Sequence, residues 1–194
     1  LDRLKTRAAI AGHPGNMKKG VHYDKTFAAT PNQHSARMMQ AMRVRHKLYA
    51  KCFDIKQAYC WAELPPGQLI ALKYPKGFEQ FKRDEQGNEI LDARGNRIPL
   101  YGVIVKNIYG HPAASRGWNK HRDKFILTNF NRDVTVPNPN PTSNSPTITY
   151  RWTCVRPLMD PCLFKFTRSI VTPDGSLTST SESIALIYLS LIHI

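Results

Sequence analysis

The sequence predicts a mixed α+β fold. Two stretches carry residues at the three- and four-residue spacing of a helix that buries one face. Five others are rich in Ile, Val, Leu, Phe and Tyr over lengths typical of strands. Of the 194 residues, 41% are apolar and 10% are aromatic. The chain can therefore bury a sizeable core, which argues against a wholly disordered or fibrous protein.

The first predicted helix begins at Ser35, a residue type that caps helix N-termini. Its apolar side chains share one face at helical spacing; they are Met38, Ala41, Met42 and Leu48. This pattern is typical of an amphipathic helix that packs one face against a core.

A strand is predicted directly after this helix, at residues 50–55. Alternation along the strand places Phe53 and Ile55 on one face and Cys52 and Asp54 on the other. The strand would therefore carry an acidic side chain at its end.

The other predicted strands lie at residues 69–74, 98–105, 150–155, 163–167 and 184–192. A second helix follows Gly110, because Pro112 suits a first helical turn and helical spacing continues through about Asn129. The residues at that spacing are Ala114, Trp118, His121 and Phe125.

Three polar stretches interrupt this pattern and are predicted to be loops or insertions: residues 84–97, 134–148 and 171–183. The first has two Gly-Asn pairs around a short apolar centre, which indicates a hairpin-like excursion. The second is rich in Pro and Asn, and the third has a Pro-Asp-Gly turn signal before a Ser/Thr run.

The charge of the chain favours an anionic partner. Lys and Arg number 28 against 14 Asp and Glu, which gives a formal net charge of +14. Such an excess of cations is typical of proteins that bind nucleic acid. A membrane partner is not predicted, since the longest strongly apolar stretch, 184–194, is about half of the ~20 residues that a spanning helix needs.

The four cysteines, Cys52, Cys60, Cys154 and Cys162, are too widely spaced for a typical zinc knuckle. They are also too few for a disulfide scaffold, so reduced thiols are the expectation.

Seven short blocks follow one another in a fixed order. They are Lys5-x-Arg7, Gly20-x-x-Tyr23-Asp24-x-Thr26-Phe27-Ala28, Phe53-Asp54-Ile55-Lys56-x-Ala58-Tyr59, Pro75-x-Gly77-Phe78, Lys106-x-x-Tyr109-Gly110, Arg116-x-Trp118 and Asp160-x-Cys162-Leu163-Phe164. Over residues 1–188 this order resembles the reverse transcriptase domain of copia-type LTR retrotransposons. The resemblance implies a right-hand polymerase, with fingers and a partial palm whose antiparallel sheet is backed by helices.

The resemblance gives Asp54 a catalytic and metal-binding role. Without the surrounding blocks, Asp54 would be interpreted as a solvated acid at a strand end. In the family, the matching carboxylate binds two Mg²⁺ ions, because hard Mg²⁺ prefers oxygen ligands. Ions ~3.5–4 Å apart activate the primer 3′-oxygen and stabilise the leaving group in nucleotidyl transfer.

The resemblance also implies a site for the incoming dNTP. Lys5 and Arg7 match the fingers cations that meet the triphosphate, and Tyr59 matches the aromatic that excludes a ribose 2′-hydroxyl. Tyr109 and Gly110 match a palm–fingers element in which glycine lets the backbone approach the nucleotide closely. For Tyr59 the alternative is an ordinary core aromatic, and for Lys5 a solvated surface cation.

Arg116 is expected to contact nucleic acid. Trp118 lies on the apolar stripe of the second helix and is expected in the core. The segment from His111 to Ser115 differs from the Lys-Gln-Ser-Pro-like segment of the family. The implied partners are an RNA or DNA template with primer, dNTP and the rest of a retrotransposon polyprotein, in a cytoplasmic particle or the nucleus. The oligomeric state stays open.

The chain departs from the family pattern after Tyr188, where the family continues with an Asp-Asp pair. Residues 189–194 read Leu-Ser-Leu-Ile-His-Ile instead, and we hypothesise that they are foreign sequence. A single carboxylate cannot offset the mutual repulsion of two close dications. The chain as given is therefore expected to be a fragment that is inactive or nearly so.

Two other classes of function stay open. The first is a non-catalytic basic module that binds nucleic acid, which the net charge favours as much as it favours a polymerase. The second is a module stabilised by zinc on the four cysteines. Binding of template-primer that ignores added dNTP would indicate the first, and stoichiometric metal would indicate the second.

Overall fold

The computed structural model describes residues 9–51, 54–142 and 145–186. Within these ranges it has three helices and two antiparallel sheets, so the predicted α+β class is confirmed. The elements are α1 (Gln33–Arg45), α2 (Ala58–Trp61), β1 (Ile70–Lys73), β2 (Tyr101–Ile104), α3 (Ala114–Asn129), β3 (Arg132–Thr142), β4 (Ser145–Val155), β5 (Leu163–Val171) and β6 (Leu177–Leu186). Among the described residues, no helix has the length and apolarity needed to cross a membrane.

The chain divides into two compact units. The first comprises the described residues of Leu1–Phe27 and Gln57–Trp118, and the second those of Ala28–Lys56 and Asn119–Ile194. The first unit contains α2, β1, β2 and the start of α3. The second contains α1, the rest of α3 and the strands β3 to β6.

The core of the first unit lies against the pair β1–β2, in which Ile70 stands opposite Ile104. Met17, Leu64 and Ile70 are buried together, and partly buried Ile10, Tyr23 and Ile104 pack against them. The strands predicted at 69–74 and 98–105 are thus present, each four residues long.

Residues 80–100 form an arm in which three segments, around Lys82, Ile90 and Ile98, are joined by backbone hydrogen bonds. Lys82 N–H donates to the carbonyl of Ile98, Ile98 N–H to that of Ile90, and Ile90 N–H to that of Lys82, at 2.9, 3.3 and 2.9 Å. Two turns of the same design make this possible. In each, an aspartate Oδ1 accepts from the backbone N–H two and four residues later, at Asp84 and again at Asp92. The excursion predicted at 84–97 is confirmed.

The second unit is built on a four-stranded sheet in the order β3-β4-β5-β6, curled into a half-barrel. Ile126 of α3 is buried with Cys154 of β4 and Phe164 of β5, and Leu127 and Phe166 pack beside them. The strands β4 and β5 cover the stretches predicted at 150–155 and 163–167. The α3 helix covers the predicted second helix from Ala114 to Asn129, but Pro112 lies in a turn before the helix and not in its first turn.

The helix α1 differs from the prediction in two respects. Asn32 caps it, since its side chain accepts from the N–H of His34, and Ser35 lies inside the helix. No residue of α1 is buried, Met38 is 44% exposed, and Leu48 lies beyond the helix end. The expected core helix is wrong, because apolar spacing defines a face but not a partner to cover it.

The strand predicted at residues 50–55 is also wrong in its described part. Residues 50, 51, 54 and 55 have irregular backbone, and Gln57 then adopts a left-handed conformation at φ +53° before α2. Among the described residues, no strand pairs with this segment, so its alternation has no sheet to join.

Two stretches predicted as loops form hairpins instead. Residues 134–142 lie in β3 and residues 145–148 lie in β4. Pro137 and Pro139 are accommodated because β3 is the edge strand of its sheet. In residues 171–183 the turn spans 172–176, where Thr172 N–H donates to Ser176 O, and β6 follows from Leu177. The strand predicted at 184–192 is described through Leu186 as the end of β6.

Candidate functional site

Asp54 is exposed and lies in irregular chain of the second unit. The described ranges contain no group of three His, Cys, Asp or Glu side chains that could hold a metal ion. One exposed carboxylate supplies too few oxygen ligands for two Mg²⁺ ions, so the residues that the structure describes do not fit the implied metal pair. Lys5, Arg7 and Cys52 lie outside the described residues, as do Tyr188 and the 189–194 tail.

Tyr59 and Tyr109, from two different sequence blocks, meet in the first unit. Their rings are 5.3 Å apart between centroids and inclined by 70°, an edge-to-face contact. The hydroxyl of Tyr59 also lies 3.1 Å from Oγ of Ser115, at the start of α3. Tyr59 is half-buried and is held from two sides.

Gly110 lies where the backbone of residues 109–110 contacts the backbone of residues 10–12. Its φ is +86°, and a Cβ on it would lie 2.0 Å from the carbonyl oxygen of Ile10. A Cβ on Gly12 would lie 1.7 Å from the carbonyl oxygen of Gly110, and Ile10 N–H donates to Tyr109 O at 2.9 Å. Residues 10–12 thus occupy the space that a side chain on Gly110 would need. The expected close approach of Gly110 to a nucleotide stays a prediction.

His111 follows Gly110 and is buried, with 5% of its surface exposed. Neither ring nitrogen makes a hydrogen bond of normal geometry. Burial lowers the pKa of His111; the adjacent His22 acts in both directions, its backbone raising the pKa and its charge lowering it. The net shift is downward, so His111 is a neutral buried imidazole at pH 7.

This burial predicts a loss of stability in weak acid. The folded-state pKa of His111 lies below the ordinary value of 6.5, so unfolding takes up a proton as the pH falls below 6.5. The free energy of unfolding should fall by up to about 1.4 kcal/mol per pH unit in that range. Urea unfolding at pH 7.5, 6.5 and 5.5 measures the effect.

His111→Leu is expected to flatten this pH dependence, because it removes the titrating group and keeps an apolar filling. His46→Leu, at an exposed histidine, should leave the slope unchanged. A slope of equal size in His111→Leu and the parent chain would contradict the role of His111.

Arg116 connects the start of α3 to the segment of residues 24–27. Its Nη1 donates to the carbonyl oxygen of Phe27 at 3.2 Å. Two residues later Trp118 is 5% exposed, so its predicted core position is confirmed.

Arg116 also lines an open groove of about 370 Å³, together with Lys19, Tyr23, Lys25 and Phe27. We call this the Phe27 groove. Lys19, Lys25 and Phe27 were not predicted as site residues. The sequence signal available for Lys25 and Phe27 was one cation between two aromatics in Tyr23-Asp24-Lys25-Thr26-Phe27.

In the last sequence block, Asp160, Cys162, Leu163 and Phe164 are buried in the second unit, and Pro161 between them is exposed. The carboxylate of Asp160 accepts from Asn32 N–H at 2.9 Å and from Cys162 N–H at 2.8 Å. The thiols of Cys154 and Cys162 are free, and burial raises the pKa of both. Such thiols are poor nucleophiles and poor metal ligands. The buried hydrogen bonds of Asp160 give the block a structural role.

Comparison with known proteins gives no matching family model, no matching curated protein and no matching solved structure. The function has to be inferred from the residues of this chain.

Proposed function

We propose that this chain is a fragment of an RNA-directed DNA polymerase of the copia-type retrotransposon class. It would supply the fingers and part of the palm, and would act on a template with primer and on dNTP. The observation that carries the proposal is the order of the seven sequence blocks over residues 1–188. The net charge of +14 suits the polyanionic substrate.

The contact between Tyr59 and Tyr109 supports the proposal. Fifty residues separate them in the sequence, and the resemblance assigns both to the nucleotide site. A side chain that excludes a 2′-hydroxyl by bulk must be held in one position. The bond from Tyr59 to Ser115 and the edge contact with Tyr109 restrict its ring in this way.

The chain as given is not expected to extend a primer, because the described carboxylates do not fit the metal pair. The test therefore joins residues 1–188 to the Asp-Asp segment and thumb of a copia-type polymerase. This completed domain should extend a DNA primer on an RNA template in the presence of Mg²⁺ and dNTP. Asp54→Asn should abolish the extension.

Glu85→Gln provides the matched control, since Glu85 is an exposed acid in the 80–100 arm of the other unit. It should extend primers as the completed domain does. Equal extension by Asp54→Asn and Glu85→Gln would remove the catalytic role of Asp54.

A non-catalytic basic module is the second candidate, favoured by the net charge and by the poor fit of the described carboxylates to a metal pair. In that case template-primer would bind with an affinity that added dNTP and Mg²⁺ do not change. The polymerase instead predicts that matching dNTP tightens the complex of the completed domain.

A further inference from the structure

We propose that the Phe27 groove binds single-stranded nucleic acid, with an unpaired base stacked on Phe27 and the backbone phosphates on the surrounding cations. This inference goes beyond the proposed polymerase activity. The proposed binding requires no metal, no dNTP and no contact with Asp54, so it can be tested independently of the polymerase activity.

The charges around the groove favour a polyanion. Lys19, Lys25 and Arg116 line it together with one acid, Asp24. Three cations and one anion leave a formal charge of +2 (3 − 1) within a groove of about 370 Å³. Both lysines are exposed, so their ammonium groups can move to meet phosphates.

Phe27 supplies an apolar surface among these charges. Its side chain is 76% exposed, although burial of a phenylalanine is normally favourable. Tyr23, also in the groove, packs partly against the core of the first unit. Proteins bind single-stranded nucleic acid with this combination of aromatic rings and cations, because the rings stack on bases while the cations contact phosphates.

Hydrogen bonds between side chains and backbone, and within the backbone, hold the groove in place. Arg116, on α3, donates to Phe27 O at 3.2 Å. At the other end, Gly20 N–H donates to Tyr23 O at 2.8 Å, and Lys18 N–H donates to Nδ1 of His22 at 2.9 Å. A preformed site loses less freedom on binding, which favours affinity.

An unpaired strand fits this groove better than a duplex. In a duplex each base is covered by its neighbours, and an exposed aromatic ring can stack only on a base that is free. An acidic peptide would satisfy the cations but would leave the ring of Phe27 in water. The aromatic contribution therefore separates these ligands experimentally.

The test measures binding of a fluorescent oligothymidine of about ten nucleotides to the full chain, by anisotropy and without Mg²⁺ or dNTP. Phe27→Ala is expected to weaken binding about tenfold, a loss typical of one stacked base. Phe78→Ala, at a 73% exposed phenylalanine of the same unit that does not line the groove, should bind as the parent chain does. Circular dichroism checks that both variants fold.

Salt dependence separates stacking from charge. Lys25→Ala should reduce the slope of log K against log salt by about 0.7, the value for one phosphate contact on a single strand. Phe27→Ala should weaken binding and keep the slope. Lys76→Ala, at an exposed lysine elsewhere in the first unit, should leave the affinity nearly unchanged.

Three results would overturn the proposal. The first is equal affinity of Phe27→Ala and Phe78→Ala for the oligonucleotide, and the second is tighter binding of a duplex than of the single strand. The third is displacement of the labelled oligonucleotide by a poly-glutamate peptide as effectively as by unlabelled oligothymidine. The binding assay needs neither Mg²⁺ nor dNTP. Failure of the completed domain to extend a primer therefore concerns the polymerase proposal and not this one.

Discussion

Gly110→Ala is expected to destabilise the first unit by about 3 kcal/mol or more. An alanine at φ +86° costs about 1–2 kcal/mol in backbone strain. Its Cβ would also lie 2.0 Å from the carbonyl oxygen of Ile10. Because that atom belongs to the backbone, relief requires residues 10–12 to move, and overpacking of this kind costs about 1–3 kcal/mol more. Chemical unfolding at pH 7 measures the loss.

Gly87→Ala is the matched control. Gly87 has φ +88°, nearly the same strain, and a Cβ there would meet nothing within 4 Å. This variant should lose only about 1–2 kcal/mol. Gly12→Ala completes the set, since its Cβ would lie 1.7 Å from Gly110 O. If Gly110→Ala and Gly87→Ala cost the same, the close crossing at residues 10–12 and 110 is wrong.

Asp160→Ala is expected to cost about 4 kcal/mol in the second unit. Asp160 is 0% exposed and accepts from the backbone N–H groups of Asn32 and Cys162. Truncation leaves the buried N–H of Cys162 without a partner, at about 1–3 kcal/mol, and also removes the acceptor of the part-buried N–H of Asn32. Asp160→Asn retains one accepting oxygen and should lose less than the alanine variant.

Asp133→Ala provides the comparison for Asp160. Asp133 forms an exposed ion pair with Arg151 across β3 and β4, at 2.9 Å. Exposed pairs contribute about 0–1 kcal/mol, so this variant should stay close to the parent chain. Equal losses at Asp133 and Asp160, measured by urea unfolding, would contradict the buried role of Asp160.

The same contacts determine how Asp160 responds to acid. Burial raises the pKa of Asp160, but the hydrogen bonds from Ser35, Cys162 and Asn32 outweigh it, and the net pKa lies below 3.8. The stabilisation is therefore complete above pH 3.8 and is lost as the pH falls through the folded-state pKa.

Local structure could be predicted from the sequence where it depends on neighbours along the chain. Helical spacing gave α1 and α3, and the Gly-Asn pairs gave the turns of the 80–100 arm. Long-range placement could not be predicted. Prolines at every second position argue against a central strand at 134–148. They are compatible with an edge strand, but the sequence does not show that β3 lies at the edge of its sheet.

The candidate site shows the same division. The resemblance grouped Tyr59 with Tyr109, and the structure brings their rings into contact. The Phe27 groove could not be predicted, since it depends on Arg116 reaching Phe27 across 89 residues of sequence. The exposure of Phe27 is likewise a property of the folded chain, because composition favours an aromatic in the core.

The 80–100 arm has a consequence for the order in which the chain folds. The backbone hydrogen bonds within the arm join residues at most 20 positions apart, the widest being from Leu100 N–H to Gln80 O. The pairing of Ile10 with Tyr109 must close a loop of nearly a hundred residues. Loop closure grows costlier with length, and hairpins form in about 1–10 μs. The arm can thus form before the rest of the first unit folds. Once formed, it shortens the flexible loop that must close when residues 10–12 contact Gly110.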